Sequence, residues 1–230
     1  MPIQVNGVTG VITGANNLSI VAGTATVAPI NLTAGTNLTT PVAGAIEYDG
    51  TSFYGDVAAS TRGTLVAQQI VVLNTAYTLT SQTAAQKLFN NTTNGTITLP
   101  VGTYFFECLY SLSSMSATSG SFGFAFGGTA TYTQSWWAEA QKGTATLATA
   151  TATQATFNTA ANTTLATASV NTVGFALIKG SLNITVAGTI IPQVSLGIAA
   201  AAVVGVGSYF RVYAISATNS TTNSTVGNWS

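Results

Sequence analysis

Along most of this chain hydrophobic and polar residues alternate one for one, in short runs separated by glycine and asparagine. Val, Ile, Ala and aromatic residues trade places with Thr and Ser in Asn17-Leu-Ser-Ile-Val21, Thr24-Ala-Thr-Val27, Thr96-Ile-Thr-Leu99, Ser181-Leu-Asn-Ile-Thr-Val186 and Tyr209-Phe-Arg-Val-Tyr-Ala-Ile215. A period of two puts one set of side chains on each face of a strand, and β-branched and aromatic residues suit that pleated surface. Helical spacing is nearly missing. Only Ser81–Phe89 predicts a turn or two of helix, with Ser81 as its cap. The expected class is all-β, a sandwich or barrel.

Two regions differ in texture. Residues 1–63 are short, glycine-punctuated pieces, free of aromatics until Tyr48, Phe53 and Tyr54. The recurring Asn17-Leu-Ser, Asn31-Leu-Thr and Asn37-Leu-Thr suggest stacked short strands, a strand-rich stalk whose pieces bury too little alone and need copies of the same chain. Over 64–230 the runs lengthen and the aromatics gather. Strands are expected at 65–73, 96–99, 103–111, 121–126, 134–141, 172–181, 190–196 and 209–215, with 143–169 either an extra edge strand or a surface loop. That number and spacing of strands predicts a jelly-roll sandwich, a knob above the stalk.

Composition narrows the function classes. Only 4% of the 230 residues are charged, and five Lys+Arg balance five Asp+Glu, so no electrostatic footprint exists for nucleic acid or anionic lipid. The apolar fraction of 47% argues against disorder. There is no His and one Cys, which excludes a structural zinc site, an intrachain disulfide and a His-based triad within one chain. The longest weakly polar run, 194–206, is too short to span a bilayer as a helix, and the first residues lack the pattern of a signal peptide. No metal, no cofactor and no membrane insertion are expected.

The hairpin segment Thr40-Pro-Val-Ala-Gly-Ala-Ile-Glu-Tyr-Asp-Gly-Thr-Ser-Phe-Tyr54, followed by Arg62-Gly63, resembles one found in bacteriophage tail fibres and other exterior virion proteins, just before a final knob. Pro100-Val-Gly-Thr-Tyr104, Phe124-Ala-Phe-Gly-Gly128, Lys179-Gly-Ser-Leu182, Ile191-Pro-Gln193, Gly207-Ser-Tyr-Phe210 and Val226-Gly-Asn-Trp229 are similar to pieces of those knobs. The resemblance implies a homotrimer with a C-terminal jelly-roll head, similar to knobs of tumour-necrosis-factor or complement type. It implies a place on the virion exterior and partners among capsid or tail proteins. The expected role is structural and non-enzymatic, a short fibre or decoration knob. Alternatives are an adhesin for a host surface glycan, a capsid cement protein, and a polysaccharide depolymerase.

The residues themselves support an expected hairpin in which Asp49-Gly50 forms a two-residue turn between 45–48 and 51–54. Ile46, Tyr48, Phe53 and Tyr54 are then candidate contacts in a trimeric stalk, one aromatic face lining the threefold axis. In the knob, the doublet Trp136-Trp137 must split between the two faces of its strand, and an exposed Trp stacks well on a sugar ring. Trp136, Trp137 and Tyr132 are the candidate binding patch, with Tyr110 a weaker companion; packing in the core or seam is the competing role. Of the five carboxylates, Glu47, Asp49, Asp56, Glu107 and Glu139, the last two both fall in expected strands and are the candidate glycosidase pair. The alternative is that they pair with Lys179, Lys142 or Arg211. Cys108, in an aromatic strand, is expected to be a small buried hydrophobe. The run 197–207, rich in Gly, Ala and Val, reads as close strand packing in preference to a membrane-active segment.

Overall fold

The computed structural model describes residues 22–50, 52–145, 152–159, 162–216 and 223, and its regular structure there is antiparallel β throughout. In chain order the strands are β1 (Ile46–Tyr48), β2 (Phe53–Ala58), β3 (Thr61–Leu65), β4 (Gln68–Val72), β5 (Tyr77–Thr78), β6 (Gln86–Lys87), β7 (Ile97–Leu99) and β8 (Gly102–Ser113). They continue with β9 (Gly120–Gly128), β10 (Thr131–Gly143), β11 (Ala152–Asn158), β12 (Asn162–Ser169), β13 (Val173–Val186), β14 (Gly188–Leu196), β15 (Val203–Val204) and β16 (Tyr209–Ser216). The all-β class that the alternation predicts is the one observed.

The chain divides into two compact units, 1–33 and 34–230. Within the first, residues 22–33 are exposed and carry no strand. Thr24–Val27, expected as a strand, is a local turn in which Thr24 N–H donates to the Val27 carbonyl at 2.9 Å. Thr24 Oγ1 takes the Val27 N–H in return at 3.1 Å, a local bond that competes with any ladder. Asn31–Thr33 and Asn37–Thr39 are likewise outside any ladder. The expected strand 17–21 and the segment 226–229 lie outside the described residues.

The second unit opens with a three-stranded sheet, β1-β2-β3. Its first hairpin differs from the expected one. Tyr48 pairs with Phe53, so the connection runs from Asp49 to Ser52 instead of turning on two residues. The Asp49 side chain is the reason: its Oδ1 accepts from Ser52 N–H at 2.8 Å and its Oδ2 from Tyr54 OH at 2.7 Å, which closes a wider loop around Gly50 at φ +99°.

The rest is a sandwich of two sheets. The larger has eight strands in the order β11-β10-β13-β8, after which the free edge of β8 pairs with β16 along one half and β15 along the other; β4 lies beyond β16, and β5 beyond β15. The smaller has five, β12-β9-β14 with β7 and β6 sharing the far edge of β14. Alternation decides which residues meet between them. Tyr104, Phe106, Cys108, Tyr110 and Leu112 of β8 point inward, as do Phe122, Phe124 and Phe126 of β9. Their rings interlock edge to face across the sheets, Phe106 on Phe126 at 5.0 Å and Phe124 on Trp136 at 5.6 Å. Gly180 stands beside Trp136 on the neighbouring strand, where a Cβ would come within 2.3 Å of it.

Ser81–Phe89 forms no helix. Gln86 pins the segment in extended form, its amide donating to the Thr80 carbonyl and its carbonyl accepting from Thr80 N–H, both at 2.9 Å. Leu88 and Phe89 then enter the core, and Leu88 N–H donates to the Pro192 carbonyl. The ambiguous 143–169 stretch holds β11 and β12, one on the edge of each sheet. The run 197–207 contributes β15 and buries Ala202 and Val204, with Gly205 N–H donating to the Ser111 carbonyl.

Candidate functional site

The outward face of the large sheet gathers the most chemistry. Strand register aligns one residue from each of six strands in a single row: Phe157, Trp137, Lys179, Glu107, Arg211 and Ile70. A second row, two residues along, holds Ser181, Phe105 and Tyr213. A third, on the other side, holds Glu139, Leu177, Leu109, Tyr209 and Val72.

Glu107 is the centre. It is 8% exposed, with Lys179 Nζ at 2.9 Å and Arg211 Nη2 at 3.2 Å, and its Oε1 accepts from Tyr209 OH. Burial opposes its charge, but the hydrogen bonds from Tyr209, Lys179 and Arg211 outweigh that and hold its carboxyl at about 2. The Tyr209 phenol is pushed up to about 12 by burial and by the Glu107 carboxylate. Lys179 and Arg211, both half exposed, meet one carboxylate in Glu107, and a second, Glu139, is exposed on the same face, so its charges balance.

Depressions flank this centre. One, of about 410 Å³, has Trp137 and Phe157 on one side, Phe105 and Tyr213 on the other, and Lys179 and Ser181 in its floor. A second, of about 240 Å³, lies among Ile70, Val72, Tyr209 and Arg211. Phe105 and Tyr213 meet edge to face at 6.0 Å.

The structure redistributes the expected binding patch. Trp137 is 38% exposed and on the outer face. Trp136 is 1% exposed and packs in the core, as alternation demands of adjacent strand residues. Tyr132 also turns inward, its hydroxyl donating to the Phe126 carbonyl at 3.1 Å and its ring meeting Phe126. Tyr110 is fully buried. No surface patch of Trp136, Trp137 and Tyr132 therefore exists; Trp137 pairs with Phe157 and Lys179 and lines one depression with Phe105 and Tyr213. Phe157, 72% exposed, was hidden in a Thr/Ala-rich stretch without a clear periodic signal.

Glu107 takes the salt-bridge role with Lys179 and Arg211, while Lys142 Nζ donates to the Thr167 carbonyl at 3.0 Å. Glu139 sits two strands from Glu107, opposite Leu177. Cys108 is fully buried, and burial together with the neighbouring Glu107 charge pushes its thiol well up, so it behaves as a hydrophobe. Among the described residues, no group of three or more His, Cys, Asp or Glu gathers to hold a metal ion, and no helix is long and apolar enough to cross a membrane.

The hairpin candidates fall on two faces. Ile46, Tyr48, Phe53 and Leu65 share one, where the Tyr48 and Phe53 rings stack at 4.4 Å and Ile46 is exposed. Tyr54 lies on the other, buried like Asp56 and beside half-buried Glu47 and Arg62. There Arg62 Nε reaches Glu47 at 2.7 Å, and Leu38 N–H and Val42 N–H donate to Glu47 and Asp56. Hydrogen bonding from Leu38, opposed by burial and aided by Arg62, lowers the Glu47 carboxyl.

The class that fold and site define is an all-β, two-sheet sandwich with an aromatic outer face. No family model, no curated protein and no solved structure matches the chain.

Proposed function

We propose that this chain is a non-enzymatic structural protein of the outside of a bacteriophage particle: a homotrimeric short fibre or decoration knob, docked by residues 1–63 and presenting a jelly-roll head over 64–230. The observation that carries the reading is strand order. Setting aside the short β5, β6 and β15 and the β10–β11 hairpin, eight strands remain, numbered here one to eight. They are β4, β7, β8, β9, β12, β13, β14 and β16. One sheet then runs first-eighth-third-sixth and the other second-seventh-fourth-fifth, the interleaving of two Greek keys. The hairpin 40–54, resembling that of exterior virion proteins, precedes this unit as it does in them. The low charge suits a self-associating module that tolerates variable salt, since contacts without ion pairs are barely screened.

A second reading, an adhesin for host surface glycan, draws on the exposed rings of Trp137 and Phe157. Immunogold labelling of intact particles with antibody against 64–230 tests the proposal. Label over the head supports decoration or cement; label at the tail tip supports host attachment. Particles that contain the chain nowhere on their exterior would overturn it.

A further inference from the structure

The two outer faces of the sandwich are built from different residues. On the small sheet the outward rows read Asn162, Ala125, Gln193 and Lys87, then Thr164, Gly123 and Ser195, then Thr98 and Thr189. Apart from Ile191, these are small or polar, as a solvated sandwich face should be. The large sheet breaks that rule over six adjacent strands. Phe157, Trp137, Phe105, Ile70 and Val72 are all exposed there, and Leu109, Leu177, Tyr209 and Tyr213 are half-buried beside them.

We propose that this outer face, from β11 across to β4, is the surface on which a second copy of the chain packs. This rests on the self-association in the reading above and names its surface. Three features favour a copy over a small ligand. Extent is the first: six strands at their usual spacing span about 25 Å, and a patch of that width by five residues covers about 400 Å². That is about half of the 800 Å² or so that each partner gives to a stable interface. Charge is the second. Lys179 and Arg211 are balanced by Glu107 and Glu139 on the same face, so the incoming surface needs no net opposite charge, and a chain of net charge zero offers none and repels none. Relief is the third: depressions on both sides of the Arg211–Glu107 ridge accept protruding side chains, and Phe157 on the edge strand protrudes enough to enter one.

The full chain tests this by native mass spectrometry and sedimentation equilibrium, beside a Phe105→Ser/Phe157→Ser double variant and a Gln193→Lys control on the small sheet. The expected result is an oligomer for wild type and control, and at least tenfold weaker association for the double variant, with an unchanged circular-dichroism spectrum. Should the variant fail to fold, hydroxyl-radical footprinting of the wild-type oligomer decides instead, with Trp137 and Phe157 expected to be protected relative to dilute monomer. A chain monomeric at about 100 µM, where a micromolar association would be nearly complete, or an oligomer whose Trp137 and Phe157 oxidise as fast as in the monomer, overturns the proposal. So does a monomer that binds a neutral oligosaccharide through Trp137. A monomer on labelled particles would remove this inference and the trimer but keep the place on the particle, whereas unlabelled particles with an intact oligomer would remove only the virion reading.

Discussion

The two faces of one sandwich obey different rules although they share a core. Strands β9 and β14 send Phe122, Phe124, Phe126, Ile190 and Val194 inward and small or polar residues outward. Strands β8, β13 and β16 send equally large residues inward, yet their outward positions include Phe105, Leu109, Leu177, Tyr209 and Tyr213. A solvated sheet needs only one apolar face. Large apolar residues on both faces of the same strands are what packing of a second copy on the outer face, as proposed above, would require.

Breaking the shared core should have the largest effect. Phe124 is fully buried and touches rings from both sheets, so Phe124→Ala should cost about 3–5 kcal/mol in urea unfolding. A loss under 1 kcal/mol would mean that the sheets do not clasp as described. The small face comes next. At Gly123 a Cβ would lie 2.4 Å from the Thr163 carbonyl oxygen, so Gly123→Ala should destabilise by about 1–3 kcal/mol. Equal stability of variant and wild type would show that this face has room to spare.

The large face is probed through its ionic centre. The Glu107 carboxyl is held near 2 in the folded chain, below its ordinary 4.5, so its contribution is complete above about 4.5 and is lost as pH falls toward 2. Because Lys179 and Arg211 are half exposed, that contribution is about 1–2 kcal/mol at neutral pH. Thermal melts of Glu107→Gln should start lower by that amount and then converge with wild type between pH 4.5 and 2. Parallel curves across that window would exclude Glu107 as the group responsible.

Much of the sandwich was legible in the chain. Alternation in 103–111, 121–126 and 209–215 locates three central strands, because a period of two is a local property of the backbone, but not which face turns inward: Tyr110, a candidate for the surface patch, is buried. The failures are also physical. Ser81–Phe89 has helical spacing, but side-chain bonds from Gln86 and the burial of Leu88 and Phe89 outweigh a weak propensity. Asp49-Gly50 looks like a tight turn, and hydrogen bonds to Asp49 widen it. The candidate patch was half legible: adjacent Trp136 and Trp137 had to part, but their partners lie far along the chain.

By itself, then, the sequence determined the β class, the places of the long strands, and the absence of His and of paired Cys. The tertiary structure decided which strands lie side by side, and hence that Phe157, Trp137, Lys179, Glu107, Arg211 and Ile70 form one row. Period-two alternation is set within a strand by local geometry, whereas cross-strand register is a non-local choice made by the packed core.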